Sequence, residues 1–352
     1  MTFMSADAPV HRILDASLNR ASEGLRVVED YLRFVLDDSH LASLTKQLRH
    51  DLAAASATLP TLERHAARDT QGDVGTAIST AAESHRPDAW AVCRASLERT
   101  KQSLRGLEEY GKIVAAEFGG SFESLRYRLY TLEAAISRTV DATSRLGAVR
   151  LCVLIDGCES KDEFSQLVGE LIGADVGAIQ LRDKTLPVRQ LVARARLLVA
   201  ATRATGQTLA IINDRPAVAA AADADGVHLG QDDFTVHDAR AILGPRKLIG
   251  LSTHSIEQAR QAVLDGANYI GAGPTFPSAT KRFDAFPGTQ LLSDISGEIK
   301  LPVFAIGGVT TANLPQVLAA GVTRIAVSSA VTAASSPGAA AAELVAALNG
   351  RP

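Results

Sequence analysis

The chain has 352 residues, enough for two domains, and 46% of them are hydrophobic, which excludes extensive disorder. Its 36 basic and 39 acidic residues give a formal net charge of −3, with 17 basic and 20 acidic before residue 145 and 19 of each after it. Neither part has the basic excess of a nucleic-acid binder, and no apolar run approaches the roughly 20 residues that span a bilayer, so nucleic acid and membrane are not expected partners.

The opening MTFMSADAPVHR lacks the apolar core of a signal peptide, which makes the cytoplasm the expected compartment. From about residue 10 to 144 the apolar period is helical. Leu18, Ala21, Leu25, Val28, Leu32 and Val35 share one helix stripe, as do Phe122, Leu125, Leu129, Leu132, Ile136 and Val140. This part repeats itself. ASLNRASEGLRVVEDY (16–31) and ASLERTKQSLRGLEEY (95–110) match at eight of sixteen positions. Each copy is followed by a second amphipathic segment, at 41–57 and 122–140. The pattern predicts an all-α bundle over 1–144 built from a duplicated helical hairpin, with HAARDTQGDVGTAIS as the connection. The trios Arg26/Glu29/Arg33 and Arg105/Glu108/Lys112 each fall on one helix face. Ordinary ion pairing explains them; a polar ligand site near a pseudo-twofold axis is the alternative. Trp90 reads as a core or interface anchor.

After TSRLGAVR the rhythm changes. Short β-rich runs at 150–155, 176–181, 208–212, 226–229, 247–251, 269–272, 302–306 and 324–327 alternate with amphipathic helical segments. Eight such units predict a (β/α)8 TIM barrel over 145–352, a doubly wound sheet being the alternative. Of the three cysteines, Cys93, Cys152 and Cys158, none has metal or disulfide spacing, and Cys152 reads as a small buried hydrophobe.

Barrel active sites collect where strands end. Here the second run ends in QLRDK, with Gln180, Arg182 and Lys184, and the third in Asn213 and Asp214. The fourth leads through His228 to Gln231, Asp232 and Asp233, and the fifth ends in Ser252 and His254. The sixth enters GAGPTFPSATKRF, with Ser278, Thr280 and Lys281; the seventh ends in AIGGV and the eighth in AVSSAV. Carboxylates with an amide neighbour and no cysteine suit a hard cation such as Mg²⁺, so Asp214 and Asp233 are its expected ligands, one ion per active site. Arg182, Lys184 and Lys281 add fixed positive charge suited to a diphosphate. The glycines and serines of the last two runs match a barrel phosphate site. No nucleophile stands out, which favours departure of a diphosphate under electrostatic stabilisation. His228 reads as a packed or substrate-orienting residue, and Asp232 as a solvated neighbour.

With these motifs, residues 147–345 resemble the thiamine-phosphate synthase family: QLRDK, INDR, DGVHLGQDD, GLSTH, GAGPTFPSATK, AIGGV and VSSAV stand in its order and spacing. The resemblance implies a transferase joining 4-amino-2-methyl-5-(diphosphooxymethyl)pyrimidine to 4-methyl-5-(2-phosphoethyl)thiazole, the diphosphate ionising first. It implies Gln180, Arg182, Lys184, Asn213, Ser252 and Lys281 as pyrimidine-diphosphate contacts, with Arg182, Lys184, Ser252 and Lys281 catalytic. Ser278 and Thr280 match the thiazole-phosphate loop; Gly308, Ser328 and Ser329 match the rest of that grip, largely through backbone N–H groups. Ser278 stands where many members carry threonine, and KRFDAFPG replaces a commoner basic-acidic run. A related barrel that rearranges the thiazole would lack Lys281 and the Arg182/Lys184 pair. A non-catalytic phosphate-binding fusion is a third reading. The helical part resembles a domain fused to some of these synthases and sometimes called a pyrimidine-phosphate kinase; it has no P-loop and no GxGxxG, which disfavours that label. Homo-oligomerisation is left open.

Overall fold

The computed structural model describes residues 8–74, 85–277 and 287–350. It divides into two compact units, Met1–Ile136 and Ser137–Pro352.

The first unit is helical: α1 (Ala8–Phe34), α2 (Ser39–Ser56), the short α3 (Thr61–Ala66), α4 (Ala89–Val114) and α5 (Glu117–Arg145), whose last turns count with the second unit. Asp38 caps α2 and Asp88 caps α4, each carboxylate accepting an N–H of the first turn, at 2.8 and 2.7 Å. The repeat is visible in the packing. Leu25, Val28 and Glu29 of α1 and their counterparts Leu104, Leu107 and Glu108 of α4 are all buried. Gly24 lets the two helices approach: a Cβ there would stand 2.3 Å from Thr100 Oγ1. Val35, expected on the stripe of α1, is 57% exposed because the helix ends at Phe34 and the chain turns toward Asp38. Trp90 rests its ring against Tyr31 at 5.7 Å. The trios resolve into ion pairs. Glu29 meets Arg49 Nε at 3.1 Å and Glu108 meets Arg126 Nε at 2.7 Å, while the outer arginines stay about half exposed.

The second unit is a closed barrel of eight parallel strands in chain order. It runs β1 (Leu151–Ile155), α6 (Lys161–Gly173), β2 (Ala178–Leu181), α7 (Val188–Thr205) and β3 (Leu209–Asn213). Next come α8 (Pro216–Ala222), β4 (Gly226–Leu229), α9 (Val236–Leu243), β5 (Leu248–Thr253) and α10 (Ile256–Leu264). The circuit closes through β6 (Tyr269–Ala272), α11 (Gly288–Glu298), β7 (Val303–Ile306), α12 (Leu314–Ala319), β8 (Ile325–Val327), α13 (Ser329–Thr332) and α14 (Pro337–Asn349). The near-continuous apolar strands follow from burial on both faces, by the barrel interior and by the helices. Leu146 and Val149, just ahead of β1, plug the floor of the interior beneath Tyr269 and Phe304. There the final turns of α5 are held by Arg138 and Arg145, which donate to the carbonyls of Pro245 and Arg246 at 2.8 Å each. Among the described residues no helix is long and apolar enough to cross a membrane.

Candidate active site

Among the described residues, several of the expected polar positions stand at the C-terminal ends of the barrel strands, and β3 and β4 set the centre of that rim. Their register pairs Asn213 with His228. Asp214 follows with φ +58°, a left-handed conformation that aspartate tolerates and that recurs at functional sites. Its N–H donates to the His228 carbonyl at 2.8 Å, extending the ladder by one bond. Beyond β4, Asp233 Oδ2 accepts the N–H of Gly230 at 2.8 Å, which folds the loop back over the strand end. The side chains of Asp214 and Asp233 are thereby brought close enough to act on one another. Burial, then the neighbouring Asp233 carboxylate, push the Asp214 carboxyl up to about 6, while Lys184 and Arg182 pull it down. Two facing carboxylates in such surroundings suit a small hard cation. Among the described residues no third histidine, cysteine or carboxylate joins them, so an ion held here would take its remaining ligands from substrate or water.

Arg182 and Lys184 stand exposed after β2, and the Asp183 between them orders their loop. Oδ1 of Asp183 accepts from Thr185 N and Leu186 N at 2.7 and 2.8 Å; Oδ2 accepts from Gly157 N, after β1, at 3.0 Å. Burial would raise its carboxyl, but these backbone donors outweigh it and hold the group down at about 2. Sequence reasoning missed Asp183. The available signal was an Asx turn, Asp183 two residues before Thr185. Gln180, on β2, is 3% exposed, and its Oε1 has no hydrogen-bond partner.

Ser252 differs from expectation in position: β5 continues through Thr253, so the serine lies within the last strand turn rather than after it. Its hydroxyl is 3.0 Å from His228 Nε2, and its carbonyl accepts from Gln231 Nε2 at 2.6 Å. Gln231 is thus a second clamp whose role spacing alone did not show. His228 is packed, as expected, with its ring 5.5 Å from that of Tyr269. Glycine at 250 makes room: a Cβ there would stand 2.1 Å from Tyr269 Cζ and 2.6 Å from His228 Nδ1. Burial lowers the imidazole to about 4, so it is neutral, and its Nδ1 is without a partner. A buried orphan N–H costs more than an orphan lone pair, so we assign the proton to Nε2. It donates to Ser252 Oγ, leaving the serine O–H to point onward.

The end of β7 is a glycine turn. Gly307 and Gly308 have φ of +99° and +65°, and a Cβ at 308 would meet the Pro277 carbonyl oxygen at 2.5 Å. The loop after β6 presses on that turn, with Thr275 N and Phe276 N donating to Ile306 O and Gly307 O at 2.9 Å each. Ser328 Oγ donates to Leu154 O at 3.1 Å, which leaves main-chain N–H groups as the expected grip, with Ser329 opening α13. Ser278, Thr280 and Lys281 lie outside the described residues. Of the cysteines, Cys152 is buried in the barrel and its thiol is pushed up to about 12, which removes it as a nucleophile.

Comparison with known proteins decides the family. The model described as thiamine monophosphate synthase matches residues 151–331. Thiamine-phosphate synthase of Rhodopirellula baltica is 46% identical over 332 residues, covering 92% of this chain and 88% of that protein. The chain belongs to the thiamine-phosphate synthase family. Thiamine-phosphate synthase of Gloeobacter violaceus is 40% identical, covering 94% of each chain. A solved structure, thiamine phosphate pyrophosphorylase from Pyrococcus furiosus, shares 35% identity at a TM-score of 0.52, over 57% of this chain and 96% of that one. The similarity to the two synthases extends through the helical unit, where residues 12–135 match a second model, the ThiD2 family.

Proposed function

We propose that the chain condenses the pyrimidine diphosphate with the thiazole phosphate to give thiamine phosphate and diphosphate, that residues 145–352 carry the chemistry, and that residues 1–144 form a separate module. Family membership supports the reaction. The observation that carries the site is the Asp214–Asp233 pair, opening on the rim beside Arg182 and Lys184. That pair fits the Mg²⁺ expected of the family, since two carboxylates otherwise have to share a proton. Bound there, the ion would neutralise diphosphate oxygens and lower the cost of the departing charge.

The protein's own groups account for the rest. Arg182 and Lys184, and by resemblance Lys281, face the diphosphate and stabilise the negative charge that grows as the C–O bond breaks. Asp183 holds two of those cations in position before substrate arrives. Gln180 offers a buried, unpartnered acceptor, which the pyrimidine amino group would satisfy. Asn213, at the end of β3, is by resemblance a further contact to the pyrimidine diphosphate. Ser252, accepting from His228, donates its hydroxyl proton toward the diphosphate. Gly308, Ser328 and Ser329, with Ser278 and Thr280 by resemblance, seat the thiazole phosphate. The thiazole nitrogen attacks with a lone pair and carries no proton, so bond formation requires no base; the neutral, buried His228 agrees with that.

The test is direct. Purified full chain with both substrates and Mg²⁺ releases diphosphate and forms thiamine phosphate in equal amounts, and EDTA abolishes both. Turnover that survives chelation would remove the metal role from Asp214 and Asp233.

A further inference from the structure

His228 stands at the rim with neither a phosphate nor a metal to hold. It is 7% exposed, and its Nε2 lies 3.0 Å from the Ser252 hydroxyl. The ring reaches that hydroxyl by crossing neighbouring strands. The register pairs His228 with Gly250 of β5, and Ser252 with Gly271 of β6. Along β5, Gly250 and Ser252 are two residues apart and share the inward face. Both glycines make room for the crossing. A Cβ at 250 would stand 2.6 Å from Nδ1, and one at 271 would stand 3.1 Å from Cε1 and 3.3 Å from Nε2. Tyr269 packs beside the ring, with centroids 5.5 Å apart and planes inclined by 32°. Glycine weakens a strand interior, so two of them facing one imidazole are space made for it.

Ser252 is held at a second point. Its carbonyl accepts from Gln231 Nε2 at 2.6 Å, and Gln231 belongs to the turn that follows β4. Gln231 thus fixes the main chain of Ser252, which leaves rotation of the hydroxyl to decide where its proton points. β4 and its turn thereby bracket a serine that belongs to β5.

We infer that His228 is a positioning residue that acts on the reaction only through Ser252, engaging a lone pair of the hydroxyl so that the O–H is aimed at the departing diphosphate. The inference rests on the synthase reading of the barrel. A histidine among polar strand ends invites another assignment, general acid or base, but such a group has to reach substrate. Here the nitrogen that does not face Ser252 lies over Gly250. An aimed hydroxyl matters most where charge grows on the leaving group, so its loss falls on kcat more than on KM.

Side chains of different reach test this on the full chain. Glutamine can place an amide N–H where Nε2 stands, whereas asparagine reaches only the position of Nδ1. His228→Asn is expected to lower kcat about tenfold, with KM for the pyrimidine diphosphate within about twofold, and His228→Gln to recover most of that loss. Ser252→Ala lowers kcat further, about 10²-fold, because the donor itself is gone. In that background His228→Asn adds less than about twofold, as expected of residues that act as one unit. Gly271→Ala presses on the ring without altering it, and its severalfold loss of kcat also disappears in the Ser252→Ala background. That variant carries the test should His228→Asn fail to fold by circular dichroism. Nitrogen NMR of the histidine rings gives a reading independent of turnover. In the substrate-free chain the His228 signals, identified by their loss in His228→Gln, are those of a ring protonated at Nε2, and they shift in Ser252→Ala. Equal losses in the glutamine and asparagine variants, losses that multiply with that of Ser252→Ala, or His228 signals unmoved by that substitution would overturn the inference. A parent chain without synthase activity would instead overturn the synthase reading, and the NMR signals would still report whether the bond to Ser252 is made.

Discussion

The two units treat carboxylates in opposite ways. In the helical unit Glu108 and Glu29 are each met by a guanidinium on a neighbouring helix, Arg126 and Arg49, and by flanking cations one turn away. At the barrel rim Asp214 and Asp233 face each other, and no described lysine or arginine closes an ion pair with either. An acid neutralised by its own chain is part of the scaffold, whereas on the proposed reading one left facing another acid takes its cation from outside. That reading separates structural from functional carboxylates by who supplies the counter-charge.

The sharpest way to break this comparison is to neutralise each kind. Asp214→Asn or Asp233→Asn is expected to cut turnover about 10²–10³-fold, the scale on which transition-state charge stabilisation is lost, with little change in the urea midpoint. Steady-state kinetics beside equilibrium unfolding gives both readings. Normal turnover in either variant would place the pair in the scaffold class. Glu108→Gln is the mirror experiment. Leaving Arg126 buried and unpaired is expected to cost about 3 kcal/mol of stability, with kcat within about twofold of the parent. Glu29→Gln is milder, because Arg49 is about a quarter exposed and can turn to water. A Glu108 variant with full stability and lost activity would invert the assignment.

Much of this was legible beforehand, for identifiable reasons. Barrel strands are short apolar runs bounded by polar residues, so β4 and β6 match the expected ranges residue for residue and the others differ by two residues or fewer at each end. The duplication was legible because α1 and α4 bury the same face. What stayed hidden depends on contacts distant in sequence. The helix α3 has only six residues, too few for a periodic signal, and Arg64 acquires meaning only when α1 brings Asp15 to it. Val35 fits the stripe by spacing, and it is the end of the helix that exposes it. Asp183 was hidden differently. Flanked by two cations, it reads as a solvated charge until Gly157, 26 residues upstream, is seen to donate to it.

Asp183 sharpens the comparison, because it is a carboxylate neutralised neither by an arginine nor by a metal but by backbone N–H groups. Its folded carboxyl titrates near 2, against about 3.9 for a free aspartate. A depressed folded value stabilises the protein above the unfolded value and loses that contribution as pH falls from about 4 toward 2. That difference corresponds to at most about 2.7 kcal/mol, and solvent screening of this partly exposed group reduces it to about 1 kcal/mol. Asp183→Asn keeps one acceptor oxygen but loses the charge, so it is expected to unfold about 1 kcal/mol more easily at pH 7, with the gap narrowing as pH drops through 3. Activity responds through position, since the loop between Gly157 and Leu186 loosens while Arg182 and Lys184 remain. KM for the pyrimidine diphosphate is therefore expected to rise severalfold, with kcat falling less. A stability gap that stays constant from pH 7 to pH 3 would show that the backbone donors recognise the shape of the side chain and not its charge.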